Sequence, residues 1–160
     1  MKTNTTAVIL TGMQNECFLP EGRLRPMFEG QVRTSNMLAN TLAMLEAAAE
    51  TDLQLLLVPT LFQPGYPELV EPVGVLAGIR DAGAFQQGDP GSEVLQEIRS
   101  MGDRVRVLAG NQGGVQDAAT AGVHAVTTSV AHGFDVVLWL SCVWGMTKPS
   151  PIAFGWSKSP

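Results

Sequence analysis

The sequence predicts a three-layer α/β/α domain with a mostly parallel sheet. Four short apolar runs alternate with stretches of helical periodicity, in the order strand, helix, strand, helix, strand, helix, strand. Most of these runs are apolar throughout, which is typical of strands buried on both faces of a parallel sheet. The predicted strands are residues 7–10 (AVIL), 53–59 (LQLLLVP), 104–109 (RVRVLA) and 134–140 (FDVVLWL).

Helical spacing of apolar residues connects these strands. One amphipathic helix is predicted over residues 31–50, and a second over 92–101 with Ser92 as a candidate N-cap. Residues 115–132 form a long alanine-rich helical pattern, which Gly133 ends at the position where a left-handed residue is favoured. Each connection between parallel strands is expected to be a right-handed crossover.

The length and composition indicate one globular domain. The chain has 160 residues, of which 45% are hydrophobic and 16% charged, so it can form a core and is not expected to be disordered. We predict a domain over residues 1–147. The tail from 148 to 160 holds three prolines without periodicity, and is expected to run extended over the surface or over a neighbouring subunit.

Charge and cysteine content restrict the expected partners and compartment. A net charge of −5 disfavours nucleic acid and anionic membranes, and no apolar stretch is long enough to span a bilayer. Two cysteines make no disulfide framework, so a reducing, cytoplasmic location is expected. The two histidines and the absence of a close cysteine pair predict no metal site, and no cofactor is predicted.

Ligands of open α/β sheets bind beyond the carboxyl ends of the strands, which here are residues 11–18, 59–66, 109–114 and 141–146. Within these segments, the candidate pocket residues are Gln14, Asn15, Glu16, Phe62 and Asn111. Gly110, Gly113 and Gly114 lie between a strand and a helix, where backbone amides can face an anion. A loop shortened by deletion would also collect glycines.

Four segments, taken in order and spacing, resemble the isochorismatase-like cysteine hydrolases. They are residues 7–24 (AVILTGMQNECFLPEGRL), 59–68 (PTLFQPGYPE), 81–93 (DAGAFQQGDPGSE) and 133–142 (GFDVVLWLSC). The resemblance implies a Rossmann-like fold and hydrolysis of small amides or related compounds. It also implies a nucleophilic cysteine at a helix N-terminus, an aspartate base after the first strand and a lysine near the third.

This chain departs from the family at all three catalytic positions. The aspartate position matches Gly12, and the lysine position roughly matches Asn111. The nucleophile position falls at Gln116, Ala121 or Thr128, and no cysteine occurs between residues 17 and 142. We therefore predict a degenerate or altered member, a pseudoenzyme in which the activity of the family is in doubt.

The chain is also shorter than the family pattern. Residues 108–114 lead directly into the predicted helix, where the family has a further helix and strand. One strand-helix unit is therefore expected to be missing, and the sheet edge left uncovered would pair with another chain. This predicts a homo-oligomer, a dimer or larger.

Three functions remain open from the sequence. The favoured one is a degenerate relative that binds a small molecule or assembles as a scaffold. The second is an active hydrolase that uses Cys17 or Cys142, although a buried cysteine is more often a small hydrophobic residue. The third is an anion-binding protein that uses the glycine-rich segment 110–114.

Overall fold

The structure is a computed structural model that describes residues 6–107, 136–141 and 155–158. Within these residues, one sheet has the strand order β3-β2-β1-β4-β5. The strands are β1 (Thr6–Thr11), β2 (Gln54–Val58), β3 (Val105–Val107), β4 (Val136–Ser141) and β5 (Gly155–Lys158). The helices are α1 (Asn15–Phe18), α2 (Arg25–Ser35), α3 (Met37–Ala49), α4 (Val75–Ala82) and α5 (Gln96–Arg99).

The sheet is mostly parallel, which confirms the predicted α/β class. Strand β1 pairs in parallel with β2 on one side and with β4 on the other, and β2 pairs in parallel with β3. Among the five described strands, only β5 runs antiparallel, against β4. The sheet therefore winds outward from β1 in both directions.

Both faces of the central strands are buried. Val8 lies opposite Leu55 in the β1–β2 register, and both belong to a core that also includes Leu45 of α3. The alternate residues of these strands, such as Ile9 and Leu56, are equally inaccessible to solvent. Burial on both faces explains the uninterrupted apolar runs of the sequence, because a strand covered on both faces has no solvent-facing position for a polar side chain.

The prediction of one continuous helix over residues 31–50 is wrong. The structure has two helices, α2 and α3, which meet at Asn36 in a left-handed conformation with φ of 50°. Asparagine tolerates this conformation better than most residues, since its short polar side chain bonds locally. The apolar residues keep a helical spacing on both sides of Asn36, so the periodicity of the sequence gives no sign of the break.

The N-cap predicted at Ser92 is also wrong. Ser92 ends a short 3₁₀ turn, Pro90–Ser92, and α5 begins only at Gln96. The intervening backbone instead pairs with the loop after β1, where Asn15 N–H donates to the Glu93 carbonyl (2.9 Å) and Leu95 N–H to the Met13 carbonyl (3.1 Å). These tertiary hydrogen bonds displace the start of the helix.

The third strand is shorter at its start than predicted. Arg104 belongs to a 3₁₀ turn before β3, and its guanidinium donates to four carbonyls, two at the end of α3 and two in the connection that leads to β2. The acceptors are Ala48, Ala49, Thr51 and Leu53, at 2.7 to 2.9 Å. Arg104 thus caps the end of α3 and ties it to the residues that lead into β2.

Near the C-terminus, the predicted fourth strand is observed as β4, shifted by one to two residues. The segment expected to run extended over the surface contributes β5, which the sequence pattern did not predict as a strand. The helix predicted over residues 115–132 and the proposed deletion near 108–114 lie outside the described residues. Among the helices that are described, none has the length and apolar character needed to cross a bilayer.

Candidate functional site

The sheet topology places the candidate site at the carboxyl end of β1. The chain passes from β1 outward through β2 to β3, and then returns to the other side of β1 at β4. In open α/β sheets, ligands bind at such a reversal, beyond the carboxyl ends of the two strands that flank it. Thr11 lies opposite Ser141 in this register, so the segment that follows Thr11 forms one wall of the site.

Gly12 is the first residue beyond β1. It is buried and has φ of 70°, in the left-handed region that a residue with a Cβ enters only at a cost. The position that the resemblance matches to a catalytic aspartate therefore has no side chain, and its backbone conformation favours glycine.

Gln14 is fully buried and acts as a clamp between three segments. Its side-chain Nε2 donates to the carbonyls of Thr60 (2.8 Å) and Ser92 (2.7 Å), and its Oε1 accepts from Thr60 N–H (2.7 Å). The side-chain amide thus pairs with the Thr60 backbone much as a neighbouring strand would. Because both ends of this amide are engaged within the protein, Gln14 positions the loops after β1 and β2.

Asn15 also holds the loop after β1 against the segment at residues 90–93. Its Nδ2 donates to the Pro90 carbonyl (2.9 Å), while its backbone N–H is bonded to Glu93. Two consecutive side chains that the sequence marked as pocket candidates are therefore both engaged with the turn at residues 90–92.

Glu16 is only 1% exposed and forms an ion pair with Arg23, whose side chain is itself half-exposed. Its Oε2 accepts from the backbone N–H of Arg23 (2.8 Å), and its Oε1 lies 3.3 Å from the Arg23 guanidinium. The same guanidinium contacts Asp89 Oδ2 at 2.6 Å and donates to the Gly83 carbonyl. The hydrogen bond that Arg23 donates to Asp89 raises the pKa of Arg23 above its ordinary value, against the lowering effect of desolvation, and the charge of Glu16 adds to the rise.

Cys17 follows directly and lies in the hydrophobic core. It is 0% exposed, and its backbone N–H donates to the Gln14 carbonyl (3.1 Å). A thiol that attacks a substrate must reach a surface or a cavity, and nucleophilic cysteines lie in partly exposed, electropositive surroundings. The burial of Cys17 favours the role of a small hydrophobic residue.

Phe62 and Tyr66 form the side of the site that follows β2. Phe62 is buried and exchanges backbone hydrogen bonds with Phe85 (2.8 Å) and Gln87 (2.7 Å). The Phe62 and Tyr66 rings lie 5.7 Å apart between centroids, and the Tyr66 hydroxyl donates to the Ala84 carbonyl (2.7 Å). Burial raises the pKa of Tyr66, and the positive charge of Arg23 partly offsets this rise.

Sequence reasoning missed three residues of this arrangement, namely Arg23, Asp89 and Tyr66. All three lie in segments that carried the family resemblance, but none was among the candidate pocket residues. The opposite charges of Glu16 and Arg23, both inside residues 7–24, were the available signal. Pairing Arg23 with a residue as distant as Asp89 required the three-dimensional structure.

Several predicted candidates cannot be placed. Cys142, Asn111 and the glycines at 110, 113 and 114 lie outside the described residues. Over residues 6–107, 136–141 and 155–158, no three His, Cys, Asp or Glu side chains come together in a way that could hold a metal ion.

Two solved structures share this fold. A cysteine hydrolase from Pseudomonas syringae pv. phaseolicola matches with a TM-score of 0.57 and 14% sequence identity, over 91% of this chain and 65% of that one. An N-carbamoylsarcosine amidase from Thermoplasma acidophilum matches with a TM-score of 0.53 and 22% identity, over 89% of this chain and 73% of that one. No protein-family model and no curated protein matches the sequence.

These matches confirm the predicted α/β fold, which this chain shares with the cysteine hydrolase and the N-carbamoylsarcosine amidase. The chain spans less than two thirds of the length of the first of these proteins, 65%. At 14% and 22% identity, the likeness extends to the fold and carries no residue roles.

Proposed function

We propose that this chain keeps the cysteine-hydrolase fold without the catalytic reaction of those enzymes, and serves as a self-assembling scaffold. Gly12 is the observation that carries the proposal. It occupies the end of the central strand, where the resemblance puts the proton-transferring aspartate, in a conformation that favours glycine. A reaction that needs a base at this position cannot obtain one from this residue.

The neighbouring side chains do not replace the missing base or nucleophile. The carboxylate of Glu16 is buried and paired with Arg23, so it is engaged in holding the loop together. Cys17 packs in the core. The chemistry-bearing residues after β1 therefore serve the architecture of the site, as expected when selection for folding outlasts selection for catalysis.

Self-assembly is supported by β3, which lies at one edge of the sheet formed by the described strands. Strand β3 has three residues, and Val107 at its end is 54% exposed. The unpaired backbone groups of an edge strand can form hydrogen bonds with a strand of another copy, and an exposed apolar residue can pack against it. Sedimentation at micromolar concentration is expected to show a dimer or larger species that Val107→Lys weakens. A monomer at that concentration would contradict the assembly.

A hydrolase that uses Cys142 is the second candidate, and one observation favours it. Ser141 lies opposite Thr11 in the β1–β4 register, and Cys142 follows Ser141 in the chain. Ser141 is the last residue of β4, at the carboxyl edge of the sheet. The N-carbamoylsarcosine amidase of the same fold suggests N-carbamoyl amino acids as substrates to test.

Ammonia release distinguishes the two functions. The full chain, Cys17→Ala and Cys142→Ala would be incubated with N-carbamoyl amino acids and nicotinamide-like amides, whose hydrolysis releases ammonia, and with activated esters, whose hydrolysis is followed by the alcohol released. We expect the three proteins to match a protein-free control. Turnover by the unmodified chain that disappears in Cys142→Ala would establish the hydrolase instead.

A further inference from the structure

Residues 87–93 form a short strap that crosses the loop after β1. Gln87 N–H donates to the Phe62 carbonyl (2.7 Å) where the strap begins, and Leu95 N–H donates to Met13 just beyond its end. Phe85 and Leu95, which flank the strap, are buried at 0% and 1% exposure. Both ends are therefore anchored in the core, while Gly88 and Pro90 between them are exposed.

The contacts that hold the middle of the strap are polar. Within the described part of the chain, the hydrogen bonds recorded between the strap and the segment 14–23 go to Gln14, Asn15 and Arg23. Arg23 connects Asp89 to the buried Glu16, so two negative charges share one cation. Charge-assisted hydrogen bonds of this kind are stronger than neutral ones, and salt weakens them when they are partly exposed.

The closed strap also carries an unsatisfied group. Ser92 is 5% exposed, and its Oγ has no hydrogen-bond partner among the residues that the structure describes. A buried hydroxyl without a partner destabilises the state that buries it, and water or a ligand would satisfy it in an opened state. Gly88, with φ of 91°, is a residue at which the backbone can turn easily.

We propose that the strap is a gate held closed by the ionic latch of Glu16, Arg23 and Asp89. Opening the latch lifts residues 88–93 and exposes the amide of Gln14 and the hydroxyl of Ser92 to hydrogen-bonding ligands. Because the core anchors at Phe85 and Leu95 remain in place, the strap opens without unfolding the sheet. The proposal does not depend on whether the chain catalyses a reaction.

Hydrogen exchange of single amides tests the gate in the full chain. The amide of Asn15 reports the strap directly, because its acceptor is the Glu93 carbonyl. Asp89→Asn removes one charge of the latch at nearly constant size. We expect it to speed exchange at Asn15 by roughly tenfold, with exchange of the paired β1–β2 residues Ile9 and Leu56 unchanged.

The matched control is Arg99→Gln. It removes the exposed ion pair between Arg99 and Glu93 (2.9 Å), at the far end of the same strap, and leaves the latch intact. This variant is expected to exchange like the unmodified protein at Asn15. A change below about twofold in Asp89→Asn, or an equal rise at Ile9 and Leu56, would overturn the proposal.

Salt provides a second measurement that does not rely on a variant. Raising ionic strength from about 0.1 M to about 1 M shortens the Debye length from about 10 Å to about 3 Å. In the unmodified protein, the exchange rate of the Asn15 amide is expected to rise with salt. In Asp89→Asn, the same rate is expected not to change with salt. Equal salt dependence in both proteins would show that the latch does not hold the strap.

Discussion

The carboxylate of Glu16 fills the space into which a side chain at Gly91 would project. A Cβ at residue 91 would lie 2.5 Å from Glu16 Cδ and 3.0 Å from its Cγ. Glu16 cannot move aside easily, because it is buried and bonded to Arg23. This contact fits together two segments that are distant in sequence, one after β1 and one before α5.

Gly91→Ala is expected to destabilise the protein through this contact. Forcing a methyl group into a packed site costs about 1–3 kcal/mol in the free energy of unfolding, measured by urea denaturation. Gly30→Ala is the matched control, since no atom lies within 4 Å of a Cβ there and the residue is inside α2. The control is expected to stabilise by about 0.5–1 kcal/mol. Equal effects of both changes would show that the Glu16 contact is loose.

Tyr66 gives a direct pH test, because it is the only tyrosine of the chain. Its pKa is raised in the folded state by burial, so the neutral phenol is favoured there. The stability from this group is fully present below the unfolded pKa of about 10 and is lost as pH rises through the higher folded value. Tyrosinate absorbance is expected to appear at higher pH in the native protein than in urea. A native midpoint at or below the urea midpoint contradicts the burial of this hydroxyl.

Arg104 is expected to matter more than its neighbour Arg106. Arg104 donates to four carbonyls, whereas the Arg106 side chain is exposed on the edge strand β3. Arg104→Met should lower the free energy of unfolding by about 2 kcal/mol, since hydrogen bonds from charged groups contribute about 1.5–3 kcal/mol. Arg106→Met should change it by less than about 0.5 kcal/mol. Similar denaturation midpoints for the two variants would refute the capping role.

Cys17 should be inert to thiol reagents in the folded protein. Its full burial blocks access, so alkylation followed by peptide mass spectrometry is expected to find residue 17 unmodified under native conditions. In concentrated urea the same peptide should be modified. Comparable labelling rates in both conditions would mean that the thiol reaches solvent, and would restore Cys17 as a candidate nucleophile.

The fold was predictable because its signals are local. Uninterrupted apolar runs marked the strands β1, β2 and β4, whose residues pair in one parallel set. The break at Asn36 and the displaced start of α5 were not predictable. The break depends on the left-handed backbone conformation of Asn36, and the start of α5 depends on tertiary hydrogen bonds. Neither changes the spacing of apolar residues in the sequence. Strand β5 was missed because its four residues show no periodicity long enough to interpret.

For the candidate residues after β1, the sequence predicted their place in the fold but not the partners of their side chains. Gln14, Asn15 and Glu16 do lie at the carboxyl end of β1, as the strand order requires. The sequence could not show that their side chains bond to Thr60, Pro90 and Arg23, because these partners are set by how separate loops pack. A polar residue after a buried strand can bind a ligand or form hydrogen bonds with a neighbouring loop. The sequence alone does not distinguish these two roles.

Ammonia release from N-carbamoyl amino acids by the full chain is the measurement that tests the central claim most directly. The account predicts no release above the protein-free control, because Gly12 supplies no base and Cys17 lies in the core. A kcat/KM of about 10⁴ M⁻¹s⁻¹ or more, the range of ordinary enzymes, that is lost in Cys17→Ala or Cys142→Ala would contradict it.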